Sequence, residues 1–263
     1  MGETVFLPGG RDARGTLDEA APTDDTGAAA IVNACVVACP PHPRHGGHRG
    51  DLRLRAVSDA LVERGVDCLR VDYGPWDGGR GEHEGERSGA SEGRAGAKRH
   101  ASREDAINAV AWARARYDRV GLFGYSFGGT VAISAAAHGA DVAAVSALAP
   151  PARVGAERAD RERDETADDS GPKERDIGGI DAVADLDRIP DGVHVQVVYG
   201  TRDDVADVGE VVDRARERGD TVVEFAAGHS FIGREATVAA AVASTGCECR
   251  RGHRSGGPPR HPR

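Results

Sequence analysis

Hydrophobic and polar positions along the chain form short apolar runs that alternate with longer segments of helical periodicity. The apolar runs predict β-strands at residues 4–7, 16–19, 28–39, 66–73, 120–123, 142–148, 194–199 and 221–225. The periodic segments predict helices at residues 52–61, 104–116, 127–137, 180–186, 208–218 and 232–244. The first two strands predict a hairpin. Because strands and helices alternate from residue 28 onward, we expect an α/β fold with a mostly parallel, doubly wound sheet and helices on both faces.

Three segments lack this periodicity. Residues 77–102 are rich in glycine and charge, which predicts a flexible loop insertion. Residues 152–176 have almost no large apolar side chain and predict a second flexible insertion. The alternative for this second segment is a lid over an active site, although it lacks the apolar face that a lid for lipid substrates needs. Residues 247–263, with five arginines and three prolines, predict a disordered basic tail, so we expect one α/β domain over residues 1–246.

The charge balance restricts the partners that this chain can have. It has 34 basic and 43 acidic side chains, a net charge of −9, which disfavours a nucleic-acid partner. Its long apolar windows are interrupted by polar residues, and its first residues carry an early acid without a basic stretch. Neither a membrane span nor a signal peptide is therefore predicted, and we expect a cytoplasmic protein. The sequence leaves the oligomeric state open.

Cysteine and histidine residues give no metal-site pattern. Three cysteines lie in apolar runs and are predicted to be small buried hydrophobic residues: Cys35, Cys39 and Cys68. Cys247 and Cys249 have no second pair elsewhere in the sequence that would complete a zinc site. Three histidines are spaced three apart in one loop, without a carboxylate or cysteine cluster to complete a site: His42, His45 and His48. We therefore expect neither a metal nor a cofactor.

One glycine-rich stretch, GYSFGG at residues 124–129, places Ser126 between an apolar run and a helical segment. In a chain this rich in glycine the pattern G-x-S-x-G carries little weight alone, but its position at a strand-to-helix turn is informative. A residue at so tight a turn has strained backbone angles, and Gly124 and Gly128 would relieve the crowding around it. The stretch predicts a nucleophile elbow. The alternative is an ordinary turn in which the serine caps the helix.

Three reactive side chains follow successive strands of the predicted sheet. Ser126 follows the strand at 120–123, Asp203 follows the one at 194–199, and His229 follows the one at 221–225. The carboxyl ends of parallel strands meet at one edge of a sheet, so these groups are expected to lie together. A serine hydroxyl needs a histidine base, and the histidine needs a carboxylate to orient it, which makes these three the candidate catalytic residues.

Each of these residues also has an ordinary interpretation when it is taken alone. The acid could cap a helix or lie on the surface, and the histidine could be a solvated turn residue. The neighbouring Asp204 is the alternative acid. We choose Asp203 and expect Asp204 to face solvent or to cap the following helix.

Six segments resemble the α/β-hydrolase superfamily, close to its esterase and dienelactone-hydrolase-like group. They are PHPRHGG at 41–47, VDCLRVDYG at 66–74, REDAINAVAWA at 103–113, GYSFGG at 124–129, YGTRDDV at 199–205 and AAGHSF at 226–231. The resemblance covers roughly residues 4–244 apart from the two insertions, and it implies the α/β-hydrolase fold with the chain order serine, acid, histidine. Dienelactone hydrolases proper carry cysteine where this chain has Ser126, and Pro40 replaces the first of the two histidines usual in the loop.

An oxyanion hole is expected beside the elbow. Its first donor is the backbone N–H of Phe127, at the start of the helix. The second should come from the loop after Cys39, where the three prolines have no N–H, so His42 is the preferred donor and Arg44 the alternative.

These observations predict a serine hydrolase. It would cleave a small soluble ester, thioester or amide through an acyl-enzyme on Ser126. Two alternatives remain at this stage: a non-catalytic scaffold that binds a ligand or partner, and an acyltransferase that uses the same three residues.

Overall fold

The computed structural model describes residues 2–21, 33–74, 91–155 and 179–248, with the side chains of 91–100 and 246–248 excepted. Strands in these ranges form an eight-stranded sheet with the order β1-β2-β4-β3-β5-β6-β9-β10. Their bounds are β1 Glu3–Phe6, β2 Arg14–Asp18, β3 Ala34–Cys39, β4 Asp67–Asp72, β5 Arg119–Tyr125, β6 Ala144–Leu148, β9 His194–Gly200 and β10 Thr221–Phe225. The predicted hairpin is present, because β1 pairs with β2 antiparallel, and β2 pairs antiparallel with β4. From β4 to β10 all neighbours are parallel, so the predicted mostly parallel sheet is confirmed.

Six α-helices cover the sheet within the described ranges. They are α1 Leu52–Val62, α2 Ser91–Arg114, α3 Phe127–Ala137, α4 Ala182–Leu186, α5 Gly209–Arg218 and α6 Glu235–Glu248. On one face α1 packs against α6, and on the other α2, α3, α4 and α5 pack against one another in succession. The two groups form the layers expected of a doubly wound fold. None of these helices has the length and apolar character needed to cross a bilayer.

The centre of the sheet is its most buried part. Strand β5 lies between β3 and β6, and every residue of it after Arg119 is buried. Parallel strands covered on both faces read as continuous apolar runs, which is why this strand was visible in the sequence. Helix α3 follows directly and is buried along almost its whole length, because its alanine and glycine residues allow close packing against the sheet. The turn between these elements therefore lies at the middle of one edge of the sheet.

The loop prediction for 77–102 is wrong for residues 91–102. These residues belong to α2, which begins at Ser91, whereas the prediction placed the first residue of the helix at 104. Their alanine, arginine, lysine and glutamate residues are good helix formers, but two glycines and the high charge obscure the periodicity. Residues 77–90 lie outside the described residues.

The flexible insertion predicted for 152–176 begins too early. Ala152 is buried, and strand β7 (Arg153–Val154) pairs antiparallel with β8 (Ile180–Asp181). The Arg153 guanidinium also binds Asp181 and Glu210, and such contacts between distant residues leave no trace in local composition. Residues 156–176 lie outside the described residues, so both the flexible insertion and the lid remain predictions there.

The last helix extends further than the sequence pattern indicates. Helix α6 continues through Cys247 and Glu248, so the prediction of a disordered tail from residue 247 is wrong for these two positions. Residues 249–263 lie outside the described part of the chain. The single domain over residues 1–246 stays a prediction.

The three cysteines in apolar runs are buried, as predicted, and none of them is part of a disulfide. Cys35 and Cys39 lie in β3, and Cys68 lies in β4. Burial raises the pKa of the Cys39 and Cys68 thiols to about 12, so both are protonated and unreactive at neutral pH.

Candidate active site

Ser126 occupies a strained turn between β5 and α3. Its backbone has φ 54° and ψ −124°, a region that costs a residue with a side chain about 1–3 kcal/mol. Two backbone hydrogen bonds hold the turn, from Ser126 N–H to the Leu148 carbonyl at 2.8 Å and from Gly129 N–H to the Ser126 carbonyl at 2.8 Å. The serine side chain makes no capping hydrogen bond to the helix, so the alternative of an ordinary helix cap is wrong.

The glycines on either side of Ser126 are required by close backbone approach. A Cβ atom on Gly124 would lie 2.0 Å from the Gly128 carbonyl oxygen. A Cβ atom on Gly128 would lie 2.2 Å from the carbonyl oxygen of Cys39 and 2.5 Å from that of Pro40. The glycines thus allow the tight turn, and they also allow the loop after β3 to pack against the start of α3.

The structure brings Ser126, His229 and Asp203 together through hydrogen-bonding contacts. His229 Nε2 lies 3.0 Å from Ser126 Oγ, and His229 Nδ1 lies 2.8 Å from Asp203 Oδ2. The register explains the meeting: Phe225 at the end of β10 pairs with Gly200 at the end of β9, so the loops that follow are neighbours. Because a carboxylate accepts, the arrangement places the imidazole proton on Nδ1 and leaves Nε2 to accept from the serine hydroxyl.

Two backbone N–H groups hold the Asp203 carboxylate in addition to its contact with His229. Its side chain is fully buried, and its second oxygen, Oδ1, accepts hydrogen bonds from Val205 N–H and Ala206 N–H at 3.0 Å each. Both carboxylate oxygens are therefore used, which fixes the carboxylate plane toward the imidazole. Asp204 is exposed, and it is Asp203 that lies against His229.

The loop expected to supply the second oxyanion donor lies beside the elbow. The rings of His42 and Phe127 meet edge to face, with centroids 4.8 Å apart. The alternative donor, Arg44, uses its backbone N–H in a 3.1 Å hydrogen bond to His42 Nδ1. The N–H groups of Phe127 and His42 stay the predicted oxyanion donors.

The loop histidines have structural contacts of their own. His42 Nδ1 accepts from Arg44 N–H, and His48 Nδ1 accepts from Gly50 N–H at 3.0 Å, so both rings stabilise turns. In the ranges for which coordinates are described, no group of three or more His, Cys, Asp or Glu residues is arranged to hold a metal ion.

Sequence reasoning missed Tyr125, which lies next to Ser126 at the end of β5. Its hydroxyl donates to the His229 carbonyl oxygen at 3.1 Å, and its ring lies 5.4 Å from the imidazole, centroid to centroid. The Arg53 guanidinium stacks on the Tyr125 ring, with its central carbon 4.7 Å from the ring centre. Arg53 also forms an ion pair with Asp51 at 2.8 Å. Burial raises the pKa of the Tyr125 phenol above its usual value, which keeps it a donor. The only sequence signal was its place beside the serine.

Solved structures of other proteins share the fold of this chain. No protein-family model matches the chain, and no curated protein matches it. Among solved structures, an α/β serine hydrolase without a lid from Xanthomonas campestris is 19% identical over 94% of each chain, with a TM-score of 0.62. Est1E from Butyrivibrio proteoclasticus is 16% identical over 95% of this chain and 99% of its own, with a TM-score of 0.63.

A dienelactone hydrolase from Anabaena variabilis is also similar, with 16% identity over 93% of this chain and 95% of its own and a TM-score of 0.56. A serine hydrolase, Est1E and a dienelactone hydrolase thus share one architecture with this chain along nearly its full length. This agrees with the resemblance found in the sequence motifs. The protein has the α/β-hydrolase fold.

Proposed function

We propose that this protein is a serine hydrolase that cleaves a small soluble ester, thioester or amide through an acyl-enzyme on Ser126. The observation that carries the proposal is the continuous hydrogen-bonding path from Ser126 Oγ through His229 to the buried Asp203 carboxylate. A serine without such a base is a weak nucleophile at neutral pH. The names of the similar structures, which include serine hydrolases and esterases, support the same class of reaction.

In the proposed mechanism, His229 Nε2 accepts the proton of Ser126 Oγ as this oxygen attacks the substrate carbonyl carbon. The oxyanion that forms is stabilised by the backbone N–H of Phe127, at the positive end of the buried helix α3, and by that of His42. His229 then donates the proton to the leaving oxygen, sulfur or nitrogen. Asp203 stabilises the imidazolium without taking its proton. Water, activated by His229 in the same way, releases the acid from Ser126.

Two measurements test the proposal. A fluorophosphonate probe should label the folded protein at Ser126, and a panel of acyl esters of graded chain length should release free acid in water. If the acyl group moves to an added alcohol or amine in preference to water, the protein is an acyltransferase. If the folded protein is neither labelled nor active on any ester, it is a non-catalytic member of the fold and the proposal is overturned.

Tyr125 is expected to position His229 in this reaction. Tyr125→Phe removes the hydrogen bond to the His229 carbonyl but keeps the ring that contacts both the imidazole and Arg53. A net hydrogen-bond contribution of about 0.5–1.5 kcal/mol corresponds to a loss of roughly 2- to 10-fold in kcat, with KM unchanged.

The matched control is Tyr117→Phe, which removes a phenol that donates to Asp67 at 2.7 Å. Asp67 is the first residue of β4 and Tyr117 precedes β5, so this contact lies where the strands begin, at the opposite edge of the sheet from the site. Both variants lose one tyrosine hydrogen bond, so a stability effect should appear in the melting temperature of each. If kcat falls equally in the two variants, Tyr125 has no positioning role.

A further inference from the structure

Tyr73 directly follows β4 and contacts both chain segments that are predicted to supply the oxyanion donors. Its hydroxyl donates to the Pro40 carbonyl oxygen at 3.3 Å, two residues before His42. Its ring meets the ring of Phe127 edge to face, with centroids 5.8 Å apart. Tyr73 is buried, so both contacts are made in the protein interior. One side chain is thus in contact with Phe127 and with the loop that carries His42.

The loop that carries His42 has few backbone groups by which other elements can hold it. Residues 40–43 include three prolines, so His42 is the one position among these four with a backbone N–H. Carbonyl oxygens are the remaining anchors. The His42 carbonyl accepts from His45 N–H at 2.9 Å and from Gly47 N–H at 3.1 Å, and both bonds are internal to the loop. The bond to the Pro40 carbonyl instead ties the loop to the end of β4.

The Pro40 carbonyl also lies against the start of α3. A Cβ atom on Gly128 would lie 2.5 Å from this oxygen. Because glycine has no side chain, the loop can approach the first turn of the helix closely, and Phe127 is the first residue of that turn. A hydrogen bond to the Pro40 carbonyl therefore fixes the loop at the point where it touches the helix that carries the first donor.

Neighbouring groups hold Tyr73 in place. The next residue, Gly74, donates its N–H to Asp105 Oδ2 at 2.9 Å, and Arg11 Nε binds Asp105 Oδ1 at 3.0 Å. The Asp105 carboxylate is buried, and it ties the residue after Tyr73 to α2. Burial raises the pKa of the Tyr73 phenol well above its usual value, and the neighbouring Cys39 adds to the effect. The hydroxyl therefore keeps its proton and stays a donor.

We propose that Tyr73 is a positioning residue of the oxyanion hole, and that its hydroxyl holds the loop where the N–H of His42 reaches the oxyanion. This inference rests on the proposed hydrolase function. An oxyanion donor acts when it lies about 2.7–3.1 Å from the oxygen that becomes charged, and loss of one such donor lowers kcat by about 10²–10³-fold. A loop that shifts by more than about 0.5 Å weakens that donor, so Tyr73 acts on kcat through His42.

Tyr73→Phe removes the hydroxyl and keeps the ring that contacts Phe127. Loss of one hydrogen bond is expected to lower kcat roughly 2- to 10-fold with KM unchanged, because the charged oxygen is absent from the bound ester. The matched control is Tyr117→Phe, which loses a phenol hydrogen bond at the opposite edge of the sheet and should keep kcat. Steady-state kinetics on one small ester, well below the melting temperature of each variant, give both constants.

A double-mutant cycle separates positioning from a merely structural role. The φ angle of His42 is −62°, which proline adopts, so His42→Pro removes the N–H at a backbone angle that the loop already has. His42→Ala removes the same ring and keeps the N–H. Tyr73→Phe should lower kcat by roughly 2- to 10-fold in the His42→Ala background and should have no further effect in the His42→Pro background. A structural role predicts the same loss in both backgrounds.

A reversible inhibitor gives a second measurement, which decides if the His42→Pro variant does not fold. Ser126 Oγ adds to the carbonyl carbon of propyl trifluoromethyl ketone, its proton passes to His229, and the ketone oxygen becomes an oxyanion in the hole. Tyr73→Phe should weaken this inhibition by the same factor as it lowers kcat, and Tyr117→Phe should leave it unchanged.

Three results overturn the inference: Tyr73→Phe leaves kcat and inhibition unchanged, it lowers kcat equally in both backgrounds, or His42→Pro costs no more activity than His42→Ala. Failure of the proposed function looks different, because the unaltered protein then hydrolyses no ester and the fluorophosphonate probe does not label Ser126.

Discussion

Ser126→Ala is expected to abolish ester turnover and leave the fold intact. Alanine fits the strained turn as well as serine does, because both carry a Cβ at φ 54° and the serine hydroxyl makes no capping bond that the helix would lose. Loss of the nucleophile of such a site lowers kcat by about 10⁶-fold. A residual acceleration of roughly 10³–10⁴ over the reaction in water is compatible with the assignment, since the oxyanion donors remain.

The measurement combines ester turnover, probe labelling and thermal unfolding. Ser134→Ala is the matched control, because Ser134 is buried in helix α3, which begins directly after Ser126, and its hydroxyl has no hydrogen-bond partner among the described residues. That change should leave both turnover and labelling intact. If the Ser126→Ala variant is as active as the unaltered protein, Ser126 is not the nucleophile and the ester is hydrolysed at another site.

The sequence predicted the elbow because its determinants are local. Gly124 and Gly128 stand two positions from Ser126, and the strand and helix on either side of it are buried enough to read as apolar runs. The same reasoning found Asp203 and His229, since parallel strands deliver whatever follows them to one edge of the sheet. Both the fold class and the meeting of these three side chains at one edge of the sheet could therefore be predicted from one sequence.

Features that depend on contacts between distant residues could not be predicted from the sequence. Tyr125 lies beside Ser126 in the sequence, yet its partner His229 is 104 positions away. Arg53 stacks on Tyr125 from helix α1, and nothing in the periodicity of α1 marks that arginine. The short strand β7 is defined by a partner strand and by ion pairs from Arg153 to Asp181 and Glu210, so composition alone assigned its residues to a flexible segment.

The first turns of helix α2 were not predicted, for a different reason. Its first residues have good intrinsic helix propensity, but two glycines and many charges interrupt the apolar stripe that sequence analysis looks for. Tertiary packing of its later residues, of which Ala106, Ala109, Val110 and Ala113 are buried, gives the helix its anchor.

Asp203 and Asp204 are adjacent and chemically identical, so the structure offers an unusually clean comparison between them. Asp203→Asn is expected to lower kcat by about 10⁴-fold. The asparagine oxygen can still accept from Val205 N–H and Ala206 N–H, but its amide group would then face His229 Nδ1 as a donor. Nδ1 must accept in return, which moves the imidazole proton to Nε2, where the serine proton has to arrive.

Asp204→Asn makes the same chemical change one residue away, at an exposed position, and should keep kcat within about twofold. Steady-state kinetics of the two variants on one small ester, with melting temperatures for both, decide between the carboxylates. KM should change little in either variant, because neither carboxylate is expected to touch the substrate. If Asp204→Asn is the damaging change and Asp203→Asn is not, the buried contact with His229 serves the fold alone, and the acid of the proposed mechanism is Asp204.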